Sequence, residues 1–239
     1  MGAWRPSTLD MPRAPAMLAP MDIEVHGNPD YGHATLALGP DETVLVESGA
    51  MAWMDPGLDL RARVLGGLGK SLLRKLFGGE SFLLGEYTAA RAARLGISPT
   101  TPGTVLHRRL EGDGLWLTAG SYLASTPGLD LTTRFGGLRA IFSGEGLFFL
   151  HLAGRGELLF NAYGAVVEQE VSGELIVDTG HVVAFTDGLE YTVETLGGVK
   201  QTLFSGEGLV LRFRGSGTVW LQSRTLNATA GWITPYLRG

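Results

Sequence analysis

The sequence predicts an all-β protein built from three diverged copies of one unit of about 60 residues. Three observations predict it. Segments centred on Gly49, Gly120 and Gly180 align without a gap as VLVESGAMAWMDPGLDL, LWLTAGSYLASTPGLDL and LIVDTGHVVAFTDGLEY. Apolar residues alternate with polar ones at the period of a half-buried strand, as in Leu209-Val210-Leu211-Arg212-Phe213-Arg214. Glycine is abundant, 36 of 239 residues, which supplies the turns and close backbone approaches that many short strands require.

The alignment extends beyond its central glycines. Gly57, Gly128 and Gly188 recur, followed by Leu58, Leu129 and Leu189 and then by Asp59, Asp130 and Glu190. Each copy next carries a Gly-Gly pair, Gly66-Gly67, Gly136-Gly137 and Gly197-Gly198. Each ends in an aromatic residue and a Gly-Glu turn, Phe77 before GGES, Phe142 before SGEG and Phe204 before SGEG. Equivalent glycines imply equivalent turns, so the copies are expected to close one core in a pseudo-threefold arrangement. Residues 1–20 are Pro-rich and read as a flexible tail. Residues 21–226 read as one domain with copies at about 39–98, 111–170 and 172–226, and 227–239 as a C-terminal tail. Met21 is an alternative start.

Within each copy the expected elements follow. In Glu190-Tyr191-Thr192-Val193-Glu194, Tyr191 and Val193 face inward. Gly154-Arg155-Gly156 and Gly215-Ser216-Gly217 read as turns into further strands. One helix is expected, inserted into the first copy, where Leu65, Leu68, Leu72 and Leu76 share a helical face and Lys70, Arg74 and Lys75 lie mainly elsewhere. It reads either as a cap on the core or as a basic face, including Leu72 and Lys75, for peripheral contact with a membrane or a partner.

Composition excludes several functions. The chain has no cysteine, so disulfides and thiol catalysis are impossible. A formal net charge of −5, with lysine only at positions 70, 75 and 200, lacks the basic footprint of a nucleic-acid binder. No apolar run reaches the ~18 residues a membrane helix needs, and residues 1–20 lack an apolar signal core. A cytoplasmic location is expected. Gly66-Gly67-Leu68-Gly69-Lys70-Ser71 fails as a phosphate loop, because Val64 stands where its first glycine belongs.

ESGAMAWMDPG, the Gly-Gly-Leu helix leading to GGES, SGEGLFFL, VDTGHVVAF and SGEGL with VWLQSR together resemble the altered-inheritance-of-mitochondria 24 family. That family lies in the tryptophan RNA-binding attenuator protein-like superfamily, and the resemblance spans about residues 21–226. It implies a triplicated β fold related to short double-stranded β-helices and a tendency to oligomerise, and it offers no catalytic residues to carry over. Eukaryotic relatives are associated with mitochondrial inner-membrane organisation, whereas bacterial ones are largely uncharacterised. One departure stands out: TAARAARLG occupies a stretch that is glycine-rich in similar proteins.

The remaining candidates are individual side chains. Aligning FLLGEY, LFFLHL and LVLRFR places Glu86 and His151 in the column of inward Phe213. A buried His–carboxylate contact between them would form a small-molecule or metal site, since buried charge is costly unless paired. The competing reading is a strand phase that shifts between copies and puts both at the surface. His181 stands where the other copies have Ala50 and Ser121, at an expected turn. Glu80, Glu145 and Glu207 form one set of equivalent carboxylates, and Asp59, Asp130 and Glu190 another. Both suit turn capping better than cation binding. No His-x-His pair, catalytic constellation or cofactor motif occurs. The sequence therefore favours a non-enzymatic scaffold or binding protein, expected to be a homo-oligomer and conceivably a trimer. Trp220, Arg224, Trp232 and Tyr236 are its candidate contact residues. The alternative is a small-molecule or metal-binding module, enzymatic or not, around Glu86 and His151.

Overall fold

A computed structural model describes residues 21–64, 83–135, 148–195 and 209–237. In chain order the strands are β1 (Asp22–His26), β2 (His33–Leu38), β3 (Thr43–Glu47), β4 (Met51–Met54), β5 (Leu58–Val64), β6 (Leu83–Ala89) and β7 (Ala93–Ile97). Then come β8 (Gly103–Thr118), β9 (Tyr122–Ser125), β10 (Leu129–Phe135) and β11 (Phe148–Tyr163). Last are β12 (Val166–Asp178), β13 (Val182–Thr186), β14 (Leu189–Thr195) and β15 (Leu209–Gln222), followed by a helix α1 (Leu226–Leu237). Every strand pair is antiparallel. One sheet runs β1-β2-β7-β4. The larger runs β12-β15-β13-β8-β11-β9-β3-β6-β5, with β10 also on β11 and β14 also on β15.

The expected alternation is present. In β2 the buried residues are Ala34, Leu36 and Leu38, every second position. In β15, Leu209, Leu211 and Phe213 are buried and Arg214 is exposed, while Val210 on the other face is buried as well. Tyr191 and Val193 are partly buried against Phe149, Phe185 and Phe213, as β14 was expected to place them. Burial of these aliphatic and aromatic side chains, at about 1.5–3 kcal/mol for each fully buried one, is the main stabilising term.

The three hairpins of the aligned segments pair in corresponding register. Leu58, Leu129 and Leu189 stand opposite Ala89, Gly154 and Gly215. The Gly-x-Gly motifs depart from their expected role. They do not turn the chain; β11 and β15 run straight through them. Gly154 and Gly215 take φ of +121° and +120°, and a Cβ there would lie 2.5 and 2.7 Å from the carbonyl oxygens of Gly128 and Gly188. Glycine thus admits a bend under a crossing turn, and the ladder between β8 and β11 slips by one residue there. In the hairpin of β5 and β6 the matching position is Ala89, followed by the Ala-Arg-rich stretch, and the strand breaks into β6 and β7. The departure in TAARAARLG is therefore a broken strand.

The segment read as a C-terminal tail is helical from Leu226, and Thr225 Oγ1 caps it by accepting a 3.1 Å hydrogen bond from the Ala228 amide. The segment expected to form an inserted helix, with Leu72 and Lys75, lies outside the described residues, as do Glu80, Glu145 and Glu207. No helix among the described residues is long and apolar enough to cross a membrane.

Candidate functional site

The strand registers place the ionisable column on the outer side of the hairpins. Glu86, His151 and Arg212 stand opposite Arg61, Thr132 and Thr192, each three residues along from the matched leucine. The residue equivalent to Glu86 and His151 is therefore Arg212, and Phe213 falls in the buried column of Tyr87 and Leu152. A one-residue slip in an aligned strand exchanges the two faces, and this overturns the expected interior contact. Glu86 pairs with Arg63 Nη1 at 3.6 Å, whereas His151 pairs with Asp187. Arg212 makes the charge-reversed counterpart of the first pair, donating from Nε to Glu194 at 2.9 Å. That bond raises the Arg212 pKa and lowers that of Glu194, and these strand-surface pairs orient side chains rather than form a ligand site.

His151 nonetheless sits in a constructed setting. Its Nε2 lies 2.8 Å from Asp187 Oδ1, and its ring is 4.4 Å from that of Trp116. Trp116 stacks on Phe185 at 5.9 Å, and Tyr191 meets Phe185 edge-on at 5.3 Å. This aromatic layer fixes the floor of a shallow bowl lined by Trp116, His151, Asp187, Leu189, Glu190 and Tyr191. Asp187 occupies the place of Pro56 and Pro127 in the aligned segments, so of the three segments only this one has a carboxylate at that place. Gly114 lets the dyad form: a Cβ on it would lie 1.9 Å from Asp187 Oδ2 and 2.6 Å from His151 Nε2. The bowl offers aromatic faces, an oriented imidazole and two carboxylates. Among the described residues no three His, Asp or Glu side chains converge as metal ligands.

His181 lies in the short turn Thr179–His181, where a turn was expected. Its Nδ1 is 2.6 Å from the Gln222 carbonyl oxygen, and Gln222 in turn donates from Nε2 to the Gly180 carbonyl at 2.8 Å. These bonds tie the turn to the end of β15. Beside it a cleft of about 340 Å³ is lined by residues including Thr118, Ser121, Asn161, Tyr163, Thr179 and Thr225. Asn161 Oδ1 is buried there and has no hydrogen-bond partner among the described residues. Sequence reasoning missed both Asn161 and Asp187. A polar residue inside the apolar run LLFNAYG and a carboxylate replacing a repeated proline were the available signals.

Trp220 is not a surface residue. It is buried, with its indole N–H donated to Glu168 Oε2 at 3.1 Å and Arg108 lying 5.1 Å over its ring. Neighbouring Val219 is buried as well, because β15 carries partners on both edges here and the ladder to β13 shifts between Val182 and Ala184. Arg224 is exposed just before α1, and Trp232 and Tyr236 are 69% and 76% exposed on it. Asp59, Asp130 and Glu190 are all exposed.

Comparison with known proteins agrees with this β architecture. The family model for mitochondrial biogenesis AIM24 matches residues 23–224. A protein of Streptococcus pyogenes serotype M6, itself named only as uncharacterised, is 30% identical over 208 residues, covering 82% of this chain and 82% of its own. A Streptococcus pyogenes protein solved by X-ray crystallography superposes with a TM-score of 0.78 at 28% identity, covering 91% of this chain and 100% of its own. With the match running from β1 to the end of β15, the chain belongs to the mitochondrial biogenesis AIM24 family.

Proposed function

We propose that this protein is a non-enzymatic β scaffold that works by assembling with copies of itself or with a protein partner. The observation that carries this reading is α1. Leu226, Trp232, Ile233, Tyr236 and Leu237 are all exposed, and no residue of the helix is buried. A contiguous apolar surface of this kind on a folded protein marks an interaction site. The helix is held to the sheets at its first turns, where Thr229 Oγ1 lies 3.0 Å from the Tyr163 hydroxyl. A closed homo-oligomer is the arrangement most soluble assemblies adopt, a trimer among them. A cytoplasmic location belongs to the same reading, supported by the cysteine-free composition. Native mass spectrometry of the full chain tests it. A single defined oligomer at micromolar concentration is expected. A monomer that also captures no protein when immobilised contradicts it.

The His151–Asp187 bowl favours a second reading, a small-molecule binding module. Aromatic faces from Trp116 and Tyr191 beside the carboxylates of Asp187 and Glu190 suit an organic cation. Titration with tetramethylammonium followed by Trp fluorescence checks this. Saturable binding lost in Asp187→Ala supports it, and a flat titration rejects it.

A further inference from the structure

The aligned segments build the same joint twice. β3 of the first copy pairs with β9 of the second, Leu45 opposite Ser125 and Val46 opposite Ala124. β8 of the second pairs with β13 of the third, Trp116 opposite Phe185 and Leu117 opposite Ala184. The two are related residue by residue through the sequence alignment, in which Gly120 follows Gly49 by 71 residues and Gly180 follows Gly120 by 60. Applying the same relation once more puts the end of β12 against β4, with Ile176 opposite Met54 and Val177 opposite Trp53. The chain does not make this joint within itself. Among the described residues β4 pairs only with β7, and β12 only with β15.

Burial separates the two joints that are made from the one that is not. Leu45, Val46, Ala124, Ser125, Leu117, Ala184 and Phe185 are all at most 4% exposed, and Trp116 is partly buried. Of the corresponding residues in the third joint, Ile176, Met54 and Trp53 are 41%, 42% and 41% exposed, while Val177 is buried, at 8%. Other edges are not distinctive. β5, β10 and β14 are outer strands in all three copies, so their exposure belongs to the unit. β4 and the end of β12 are edges only where the next copy is missing. Nearby carboxylates are already engaged: Asp55 pairs with Arg94 at 2.9 Å, Glu174 pairs with Arg214 at 3.0 Å, and Asp178 accepts from the Gly180 amide at 2.8 Å.

We propose that the β12 edge of one molecule adds to the β4 edge of a second, continuing the sheet in the register of the two internal joints. The occupant is a second copy of this chain, because each molecule carries at its other end the strand that fills this place twice inside it. Unpaired strand edges with apolar side chains are templates for such addition. The contact is head-to-tail, so it closes into a ring or extends as a filament. The inference rests on the self-assembly reading and names its interface.

The absence of cysteine makes the test direct. Full-length Met54→Cys and Ile176→Cys proteins are mixed under mild oxidation and read on a non-reducing gel. A disulfide-linked dimer containing one of each, absent from either variant alone, is expected, since opposed residues lie within bridging distance. Met54→Lys, at an exposed position, should keep its circular dichroism spectrum and shift the native mass to that of one chain. An oligomeric wild type that yields no mixed dimer and keeps its mass in Met54→Lys overturns the joint and leaves the scaffold standing. A wild type that is monomeric overturns the joint and the self-assembly reading together, and leaves the scaffold only a protein partner.

Discussion

Glu47 ends β3 with its carboxyl withdrawn from solvent, and burial pushes its pKa up to about 7. The folded protein therefore binds this proton more tightly than the unfolded chain, whose value is near 4.5. The sign follows from linkage: the unfolded state releases the proton first, so stability falls as pH rises from about 4.5 to about 7 and stays lower above. Glu47→Gln should remove that slope. At pH 8 it should raise unfolding free energy by about 1–2 kcal/mol, below the full-burial figure because the group keeps some solvent contact. Urea unfolding at pH 5 and pH 8 measures both. Of the residues singled out in the sequence, His151 does occupy a constructed site, but its partner Asp187 is remote in sequence and lies on a turn that alignment reads as Pro or Asp. Pairing across strands decides such partners, and no local pattern encodes it.

At the scale of the element, the long bent strands depend on glycine at one position. Gly215→Val places a Cβ against the Gly188 carbonyl at a φ of +120°. It should cost about 2–4 kcal/mol, combining strain and steric conflict, read as a lower urea midpoint. The strands themselves were legible because alternation and repeated glycines report backbone geometry directly. Their phase was not. FLLGEY, LFFLHL and LVLRFR look alike, yet the third is displaced by one residue relative to the first two, and this exchanged Phe213 for Arg212 in the ionisable column. Apolar character fixes that a strand exists, whereas its register is fixed by the partner leucines 58, 129 and 189. Helix α1 was hidden for a different reason. Gly231 and Pro235 both disfavour helix, and the Thr225 cap is a weak signal alone.

For the whole molecule, the three hairpins and two internal joints use one register, and the ends of the series expose the two halves of a third. This arrangement explains why Trp53 and Met54 on β4 and Ile176 on β12 stay exposed. It was only partly legible in the sequence. The aligned segments show that the copies correspond, but which strands of neighbouring copies meet becomes visible only once β3–β9 and β8–β13 are paired. Hydrogen–deuterium exchange of the full chain at low and high concentration tests the central claim most directly. Where the third joint forms, backbone amides of Met51–Met54 and of residues 175–178 gain protection with concentration while those of β5 and β10 do not. Exchange in β4 and the end of β12 that is fast and independent of concentration in an oligomeric sample would contradict it.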